Sequence, residues 1–365
     1  MNNISWWRTS FGESEIGRIS RSIRNECISQ GPVTKEFEKK LSEFLEIDYV
    51  VAVSSGSSAL LLALMAIEIG PGDEVILPNR TWIATAHAVN LLGASVVLVD
   101  VEAERPIIDA DLVERAITNK TKAIIPVHLN GRSAEINKLQ SIASRYNLAI
   151  IEDAAQAIGS RNQVGYLGTQ SDIGCFSLSV AKTISTGQGG FAVTSNNELA
   201  TRMKSIRTHG VENVKDPEEW LIPGFNFRLT DIQSSIGLEQ LKQLPHRIEH
   251  LKELYSIYSE GLYDSPFELI SVDLEQGEVP VYIEFMVENR QSWIKYLSSV
   301  GIESRPFCPD INTAKYLPIQ KSIFAHSKKY GAKGIYLPGG PSQPLANART
   351  CISTILKGVD SQTLI

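Results

Sequence analysis

The sequence has few residues of the kinds that bind metal ions or form disulfides. Its six histidines form no cluster with the spacing of metal ligands, which disfavours metal catalysis. The four cysteines lie far apart and contain no CxxC pair, at Cys27, Cys175, Cys308 and Cys351. This usage suits a reducing compartment, and Cys175, inside an apolar run, is predicted to be a core residue.

Long apolar runs and an excess of basic charge are also absent. The longest apolar run, residues 59–67, is far shorter than a membrane span. The first residues, Met-Asn-Asn-Ile-Ser-Trp-Trp-Arg, show no basic region followed by a long apolar stretch, so no secretory signal is visible. The net charge of −6 disfavours non-specific binding to nucleic acid. We therefore expect a cytoplasmic protein with neither nucleic acid nor a membrane as a partner.

What the sequence does contain, from residue 48 onward, is an alternation of apolar strands with helices. The chain of 365 residues is long enough for a large core. Strands that are apolar throughout are typical of a mostly parallel sheet covered by helices on both faces. We therefore predict an α/β fold of three layers around a seven-stranded sheet, with strands at residues 49–53, 74–77, 95–99, 122–127, 148–151, 173–178 and 190–194.

The second half of the chain changes character. Two helices are predicted at 229–244 and 247–263, separated by Pro245, because proline interrupts a helix. A smaller α+β lobe with a single strand-like run is predicted to follow. We expect a large domain over residues 1–250 and a small C-terminal domain over residues 251–365.

Two residues at strand ends, Asp153 and Lys182, are the first candidates for chemistry. Open α/β sheets bind ligands at the carboxyl edge of their strands. An acid after one strand and a lysine after another can engage opposite ends of pyridoxal phosphate, in which a lysine forms a Schiff base and a carboxylate holds the pyridinium nitrogen. Taken alone, such an Asp is usually a cap and such a Lys a solvated charge. Other motifs in the chain are therefore needed to distinguish the catalytic interpretation from these ordinary ones.

A serine-rich turn with one glycine links the first strand to a leucine-rich helix. It reads Ser-Ser-Gly-Ser-Ser-Ala over residues 54–59. Glycine allows close approach of the backbone, and a helix N-terminus presents N–H groups to an anion, so Gly56 and Ser57 are candidates for binding phosphate. A plain helix cap is the alternative, since serine is also a common N-cap residue.

Three further residues sit on the same predicted edge. Trp82 can stack on an aromatic cofactor or pack half-buried against the protein. Gln156 follows Asp153 by about one helical turn. Ser177 lies on the same face of its strand segment as Ser179 and can hydrogen-bond a phosphate.

The order of these parts along the chain is itself informative. They fall within motifs that read G-P-V-T-K-E-F-E (31–38), S-G-S-S-A-L (55–60), G-P-G-D-E-V-I-L-P (70–78), T-W-I-A-T-A-H-A (81–88), P-V-H-L-N-G (126–131), E-D-A-A-Q-A-I-G-S (152–160), F-S-L-S-V-A-K (176–182), G-Q-G-G (187–190) and F-N-F-R-L-T-D-I-Q (225–233). In these motifs the chain resembles fold-type-I pyridoxal-phosphate enzymes, and among them the DegT-type nucleotide-sugar aminotransferases. The resemblance is dense over residues 10–245 and thin beyond.

The resemblance implies a role for each candidate. Lys182 would carry the cofactor covalently and shuttle protons, and Asp153 would pair with the pyridinium nitrogen. The implied cofactor contacts are Gly56, Ser57 and Ser177 at the phosphate, Trp82 on the ring and Gln156 near the ring hydroxyl. No residue is expected to bind a metal.

Asn226 is implied to reach the phosphate of the cofactor in the other subunit. That implies an obligate homodimer with shared active sites. Relatives that dehydrate sugars replace the lysine by histidine, so Lys182 favours transamination. The chain departs from the family at residues 307–313, where Asn312 stands at the position of a histidine that many members have.

The resulting hypothesis is transamination of a keto-sugar, nucleotide-linked, with L-glutamate as amino donor, in amino-sugar or polysaccharide biosynthesis. An enzyme for a non-nucleotide keto-sugar or keto-acid sugar is one alternative. A catalytically silent regulator that binds pyridoxal phosphate is another, although such a protein would be expected to lack Lys182 or to carry a DNA-binding appendage.

Overall fold

A computed structural model describes residues 3–211, 219–220, 222–319 and 322–360, so the outermost residues of both predicted domains (1–2 and 361–365) lie outside the described residues. Its main feature is a seven-stranded sheet. The strands are β1 (Tyr49–Val53), β2 (Glu74–Pro78), β3 (Ser95–Val99), β4 (Thr121–Ile124), β5 (Ala149–Asp153), β6 (Ile173–Ser177) and β7 (Gly190–Thr194).

The sheet is mostly parallel, as predicted. Its strand order is β1-β7-β6-β5-β4-β2-β3, and β7 alone among these strands runs against its neighbours. Six strands therefore bring their carboxyl ends to one edge, and β7 begins at that edge. Strands β1, β3 and β7 have the predicted bounds. The pattern was readable because most residues of these strands are apolar and buried.

Helices cover both faces of the sheet. Their bounds are α1 (Glu13–Arg24), α2 (Pro32–Leu45), α3 (Gly56–Ala66), α4 (Ala84–Leu91), α5 (Ala110–Ala116), α6 (Ile136–Tyr146), α7 (Asn197–Arg207) and α8 (Asp231–Gly261). Residues of α3, α4 and α7 share one core with Val51 and Val53, whereas α2 and α8 share another with Val50 and Ala52. Successive residues of a strand point to opposite faces, so this alternation produces the three predicted layers.

The predicted break at Pro245 is wrong, because α8 is one helix of 31 residues. Arg247, almost fully buried, donates to Oε1 of Gln240 at 2.7 Å and to the carbonyl of Thr183 at 3.0 Å. The bond to Gln240 spans the proline, and Leu244 beside the proline is buried in the core. Packing thus offsets the hydrogen bond that proline removes. The predicted domain boundary at residue 250 falls inside this helix and stays a prediction.

A smaller antiparallel sheet of order β10-β11-β9-β8 forms the C-terminal α+β part, in agreement with the predicted fold class. Its elements are β8 (Glu268–Leu269), β9 (Ile283–Met286), α9 (Arg290–Ser299), β10 (Arg305–Pro306), α10 (Ala325–Lys333), β11 (Gly334–Leu337) and α11 (Leu345–Asp360). Only β9 matches the single predicted strand. The others have at most four residues, too few for a periodic pattern. Among the described residues, no helix has the length and apolar character to cross a membrane.

Residues 4–8, here called the N-terminal strap, pair with the C-terminal part of the chain. The N–H of Ile4 donates to the carbonyl of Gly301 at 2.9 Å, and Gly339 donates to the carbonyl of Trp6 at 2.8 Å. On its other side, Nε1 of Trp7 donates to the carbonyl of Val180 at 3.0 Å. The strap therefore connects the small sheet to the loop after β6.

Candidate active site

A cavity of ≈ 710 Å³ lies at the carboxyl edge of the large sheet, where β1, β2, β5 and β6 end. The small sheet and the N-terminal strap close its other side. Residues of the large sheet and its loops that line it include Ser55, Gly56, Ser57, Arg80, Thr81, Trp82, Thr85, Asp153, Gln156, Ser177, Ser179, Lys182 and Gln188. Those from the strap and the C-terminal part include Trp6, Tyr282, Glu284, Arg305, Phe307, Cys308 and Tyr336.

The serine-rich turn is held against the end of β6. Ser55 caps α3 by accepting a hydrogen bond from the N–H of Ser58 at 3.0 Å. A Cβ atom at Gly56 would lie 2.8 Å from Cβ of Ser177, so a side chain there would collide with the strand end. The absence of one leaves the helix N-terminus and the hydroxyl of Ser177 side by side, a combination suited to an anion.

Asp153 is 5% exposed and held at two points. Its Oδ2 accepts from Oγ1 of Thr85 at 2.8 Å, and its Oδ1 accepts from the N–H of Ala155 at 3.1 Å. Burial raises the pKa of this carboxyl, while the two hydrogen bonds and the charge of Lys182 act in the opposite direction. A buried carboxylate without a paired cation is costly, so the site favours a positively charged ligand group.

Lys182 follows β6 and opens on the same cavity. Burial lowers the pKa of its amine to about 8, and the nearby Asp153 limits that fall. The amine lies 3.5 Å from the hydroxyl of Tyr282. A lysine of this pKa has a sizeable neutral fraction near neutral pH and is therefore nucleophilic.

Trp82 and Gln156 complete the group predicted from the first half of the chain. Trp82 is 61% exposed and lines the cavity, which leaves its ring accessible to a ligand. Oε1 of Gln156 accepts from the N–H of Asn130 at 2.8 Å, and this bond fixes the amide at the cavity wall.

The structure brings together seven of the eight predicted site residues, all except Asn226. Asn226 is exposed, and its Oδ1 accepts from Nε of Arg228 at 2.8 Å. It does not line the cavity of its own chain. Asn312, at the departure from the family pattern, is also exposed, and its N–H donates to Oδ1 of Asn79 at 2.8 Å.

Sequence analysis did not identify several polar residues of this site, among them Thr85, Arg80 and Tyr282. Thr85 falls one turn after Thr81 in the tryptophan motif, a weak signal for a carboxylate partner. Arg80, 2% exposed, donates from Nη1 to Oδ1 of Asp310 at 2.7 Å and to the carbonyl of Cys308 at 2.6 Å. Tyr282 comes from the C-terminal part, and no local pattern marks it.

A buried pair of side chains, His128 and Glu152, stabilises the end of β5 next to the site. His128 and Glu152 are fully buried, with Nε2 and Oε2 2.7 Å apart. Burial alone would raise the pKa of Glu152, but hydrogen bonds from His128, Gly168 and Ser171 hold it below its ordinary value. The N–H of His128 also donates to the carbonyl of Asp153 at 3.0 Å. The pair therefore fixes the strand end that carries Asp153.

These residues fit pyridoxal phosphate. A reactive amine, a buried carboxylate and an anion-binding turn match the aldehyde, the ring nitrogen and the phosphate of that cofactor. Fold and site together define the class of fold-type-I pyridoxal-phosphate enzymes. Within the described residues, no group of three or more His, Cys, Asp or Glu could hold a metal ion.

The family follows from comparison with known proteins. The model of the DegT/DnrJ/EryC1/StrS aminotransferase family matches residues 9–355. The chain belongs to this family and is a sugar aminotransferase that depends on pyridoxal phosphate.

Solved structures agree with this placement. DesV from S. venezuelae, solved with a ketimine intermediate, is 29% identical, with a TM-score of 0.93 and 99% of each chain covered. A DegT DnrJ EryC1 StrS aminotransferase from Brucella abortus is 30% identical, with a TM-score of 0.89, covering 94% of this chain and 95% of that one. The PLP form of Spr1654 from Streptococcus pneumoniae, assigned as a sugar aminotransferase, is 27% identical, with a TM-score of 0.93 and 99% of each chain covered.

Proposed function

We propose that this sugar aminotransferase moves an amino group from L-glutamate to a nucleotide-linked keto-sugar, with Lys182 and Asp153 as its catalytic residues. One observation carries the proposal. Lys182, with its pKa lowered to about 8, and the buried carboxylate of Asp153 open on the same cavity. We place the reaction in the cytoplasm, where thiols such as that of Cys175 stay reduced.

Lys182 has two tasks in this proposal. Its neutral amine would hold the cofactor covalently, and when released it would carry a proton from one carbon to another. A pKa near the working pH suits both, because the amine must accept and then return a proton. Pyridoxal phosphate, when bound, supplies the electron sink that makes such a proton labile.

Asp153 keeps the ring nitrogen protonated. The bonds from Thr85 and Ala155 leave its carboxylate oriented by donors on two elements, α4 and the turn after β5. A protonated ring nitrogen would provide the countercharge that this buried carboxylate needs. Trp82 would cover the ring, Gln156 would lie near the ring hydroxyl, and Gly56, Ser57 and Ser177 would hold the phosphate.

The substrate side of the cavity is aromatic and cationic. Trp6, Tyr282, Tyr336 and Phe307 provide flat apolar faces, on which a sugar ring can stack. Arg305 is exposed at the same wall, 4.3 Å from the ring of Trp6, and its guanidinium suits the phosphates of a nucleotide-linked sugar.

We further propose that the enzyme is a homodimer with shared active sites. The support is the position of Asn226, which is exposed and does not line the cavity of its own chain. Phe225 and Trp220 near it are large exposed apolar side chains. A partner subunit would cover these and receive Asn226 at its cofactor phosphate.

Borohydride reduction and peptide mapping test the attachment site. The pyridoxyl group should be found on Lys182, and a label on another lysine would contradict the proposed mechanism. Assays with glutamate and matched pairs of keto-sugars, with and without a nucleotide, test the substrate class. Activity on the free sugars alone would favour a non-nucleotide substrate, and a labelled Lys182 without turnover on any sugar would favour a regulator.

A further inference from the structure

Tyr282 contacts the catalytic lysine from the opposite side of the cavity. It immediately precedes β9 in the small sheet, whereas Lys182 follows β6 in the large one. The hydroxyl of Tyr282 donates to the carbonyl of Ala181 at 2.8 Å. The amine of Lys182 lies 3.5 Å from the same oxygen. One phenol therefore contacts both the backbone beside the lysine and its reactive atom.

The hydrogen-bonding role of this phenol is fixed. A tyrosine has one hydroxyl proton, and here it points to the carbonyl of Ala181. Toward Lys182 the oxygen acts only as an acceptor. Burial raises the pKa of Tyr282 far above its ordinary value, so the phenol stays protonated and cannot serve as a base.

The ring of Tyr282 is also held rigidly. It stacks on Trp6 of the N-terminal strap with ring centroids 6.0 Å apart and planes 16° apart. Trp7 and Tyr336 contact it with centroid distances of 5.4 Å each. Its backbone N–H donates to Oδ1 of Asn130 at 2.6 Å. A side chain fixed in this way can fix a neighbour in turn.

We propose that Tyr282 is a positioning residue for Lys182, which holds the amine toward the cavity whenever that amine is free. Lysine has four rotatable side-chain bonds, and a single acceptor at the cavity wall selects the orientations that reach the substrate. The inference rests on the proposed role of Lys182. It adds that the small sheet and the N-terminal strap help to position the amine of Lys182, because they hold Tyr282 in place.

Other groups also face Lys182 and must be separated from Tyr282 in any test. The other titratable and charged side chains that line the same cavity are Asp153, Glu284, Cys308, Tyr336, Arg80 and Arg305. Of these, Asp153 acts on the lysine directly and favours its charged form. Glu284 is engaged by Arg132 and Asn130, and Arg80 by Asp310. The variant must therefore leave these other groups unchanged.

Tyr282→Phe keeps the ring and removes the hydroxyl, and with it both the acceptor for Lys182 and the bond to the carbonyl of Ala181. In cofactor-free protein, trace labelling with acetic anhydride across pH, read by mass spectrometry of the Lys182 peptide, reports the titration of the amine. The phenol oxygen accepts a hydrogen bond from the charged amine and stabilises that form. Its loss should therefore move the labelling midpoint of Lys182 to lower pH by roughly half a unit. In the holoenzyme, kcat should fall roughly fivefold to tenfold because the amine is less well aimed, while the KM for glutamate stays within about twofold.

Tyr258→Phe is the matched control. Tyr258 is buried in the same part of the chain and donates to the carbonyl of Pro338 at 3.1 Å, away from the cavity. The Tyr258→Phe variant also loses one buried hydrogen bond, but away from the cavity. The labelling midpoint of Lys182 in this variant should therefore equal that of the unmodified protein. If Tyr282→Phe fails to fold, meta-fluorotyrosine at position 282 weakens the acceptor and should shift the midpoint in the same direction by less.

The outcomes are distinct. If borohydride labels Lys182 in the unmodified enzyme but Tyr282→Phe changes neither the midpoint nor kcat, the positioning role is overturned and the proposed function stands. If borohydride labels a different lysine, the proposed function fails first. Equal shifts in Tyr282→Phe and Tyr258→Phe would assign the effect to general loosening and would also overturn the role.

Discussion

Oγ1 of Thr85, in α4, donates a hydrogen bond of 2.8 Å to Oδ2 of Asp153, at the end of β5. The bond stabilises the ionised carboxylate against the penalty of burial. The backbone N–H of Thr85 donates to the carbonyl of Trp82 at 3.3 Å. Thr85 therefore links the proposed stacking residue to the proposed acid.

Thr85→Val keeps the shape of the side chain and removes the hydroxyl. A hydrogen bond to a charged group contributes about 1.5–3 kcal/mol, so the pKa of Asp153 should rise by roughly one unit or more. The acid limb of the pH–rate profile should move to higher pH, and kcat should fall. Thr85→Ser keeps the donor and should retain the original profile. A Val variant whose profile overlays that of the unmodified enzyme would show that this bond does not control Asp153.

Lys182 should make the stability of the cofactor-free protein depend on pH. Its pKa is about 8 in the folded chain against 10.5 without burial. Below pH 8 it is charged in both states, and the folded state carries the full penalty, about 3 kcal/mol. Between 8 and 10.5 the folded state binds fewer protons than the unfolded one, so the free energy of unfolding contributed by Lys182 rises with pH.

Lys182→Met therefore should raise the free energy of unfolding at neutral pH, and this gain should shrink as the pH approaches 10.5. Urea denaturation at several pH values measures it. Lys329→Met, at an exposed position of α10, is the control and should show no such trend. A gain that is the same at every pH would mean that apolar packing, and not charge burial, is responsible.

Gly56→Ala tests the turn at the proposed phosphate site. The new Cβ would lie 2.8 Å from Cβ of Ser177, so the turn and the end of β6 must separate. We expect a loss of about 1–3 kcal/mol in the free energy of unfolding and weaker binding of the cofactor by equilibrium titration. Gly17→Ala in α1 meets no atom within 4 Å and should stabilise by about 0.5–1 kcal/mol. Unchanged cofactor affinity in Gly56→Ala would argue against a phosphate site here.

Mixed dimers test the sharing of active sites. Lys182→Ala and Asn226→Ala, unfolded together and refolded, should form heterodimers with one site that keeps both residues and one that loses both. If Asn226 reaches the partner's cofactor, the mixture should be more active than either parent. Sedimentation establishes that dimers form. Heterodimers with no gain over the parents would place Asn226 in its own subunit or outside the reaction.

Much of this fold could be predicted from the sequence because it depends on local patterns. Strands covered by helices on both faces are rich in apolar residues, so β1, β3 and β7 could be located with their observed bounds. Residues at the carboxyl ends of such strands lie at the edge of the sheet where ligands bind. Asp153 and Lys182 could therefore be recognised together as site candidates from the sequence alone.

The parts that were not predicted depend on contacts between distant residues. Thr85 and Asp153 are 68 residues apart, and Tyr282 and Ala181 are 101 apart. No local pattern specifies such partners. Pro245 was misleading for the same reason, since local preference ends a helix there but the bonds of Arg247 and the packing of Leu244 override it.

The N-terminal strap has a consequence for biosynthesis. Trp6 and Trp7 leave the ribosome well before Gly339, yet the carbonyl of Trp6 accepts a hydrogen bond from the N–H of Gly339. At about 5–20 residues per second, translation of the intervening segment takes tens of seconds, whereas the large sheet can assemble as its strands emerge. The wall of the cavity that carries Trp6 is therefore completed last. A nascent chain arrested before residue 339 should hold a finished sheet and an unfinished active site.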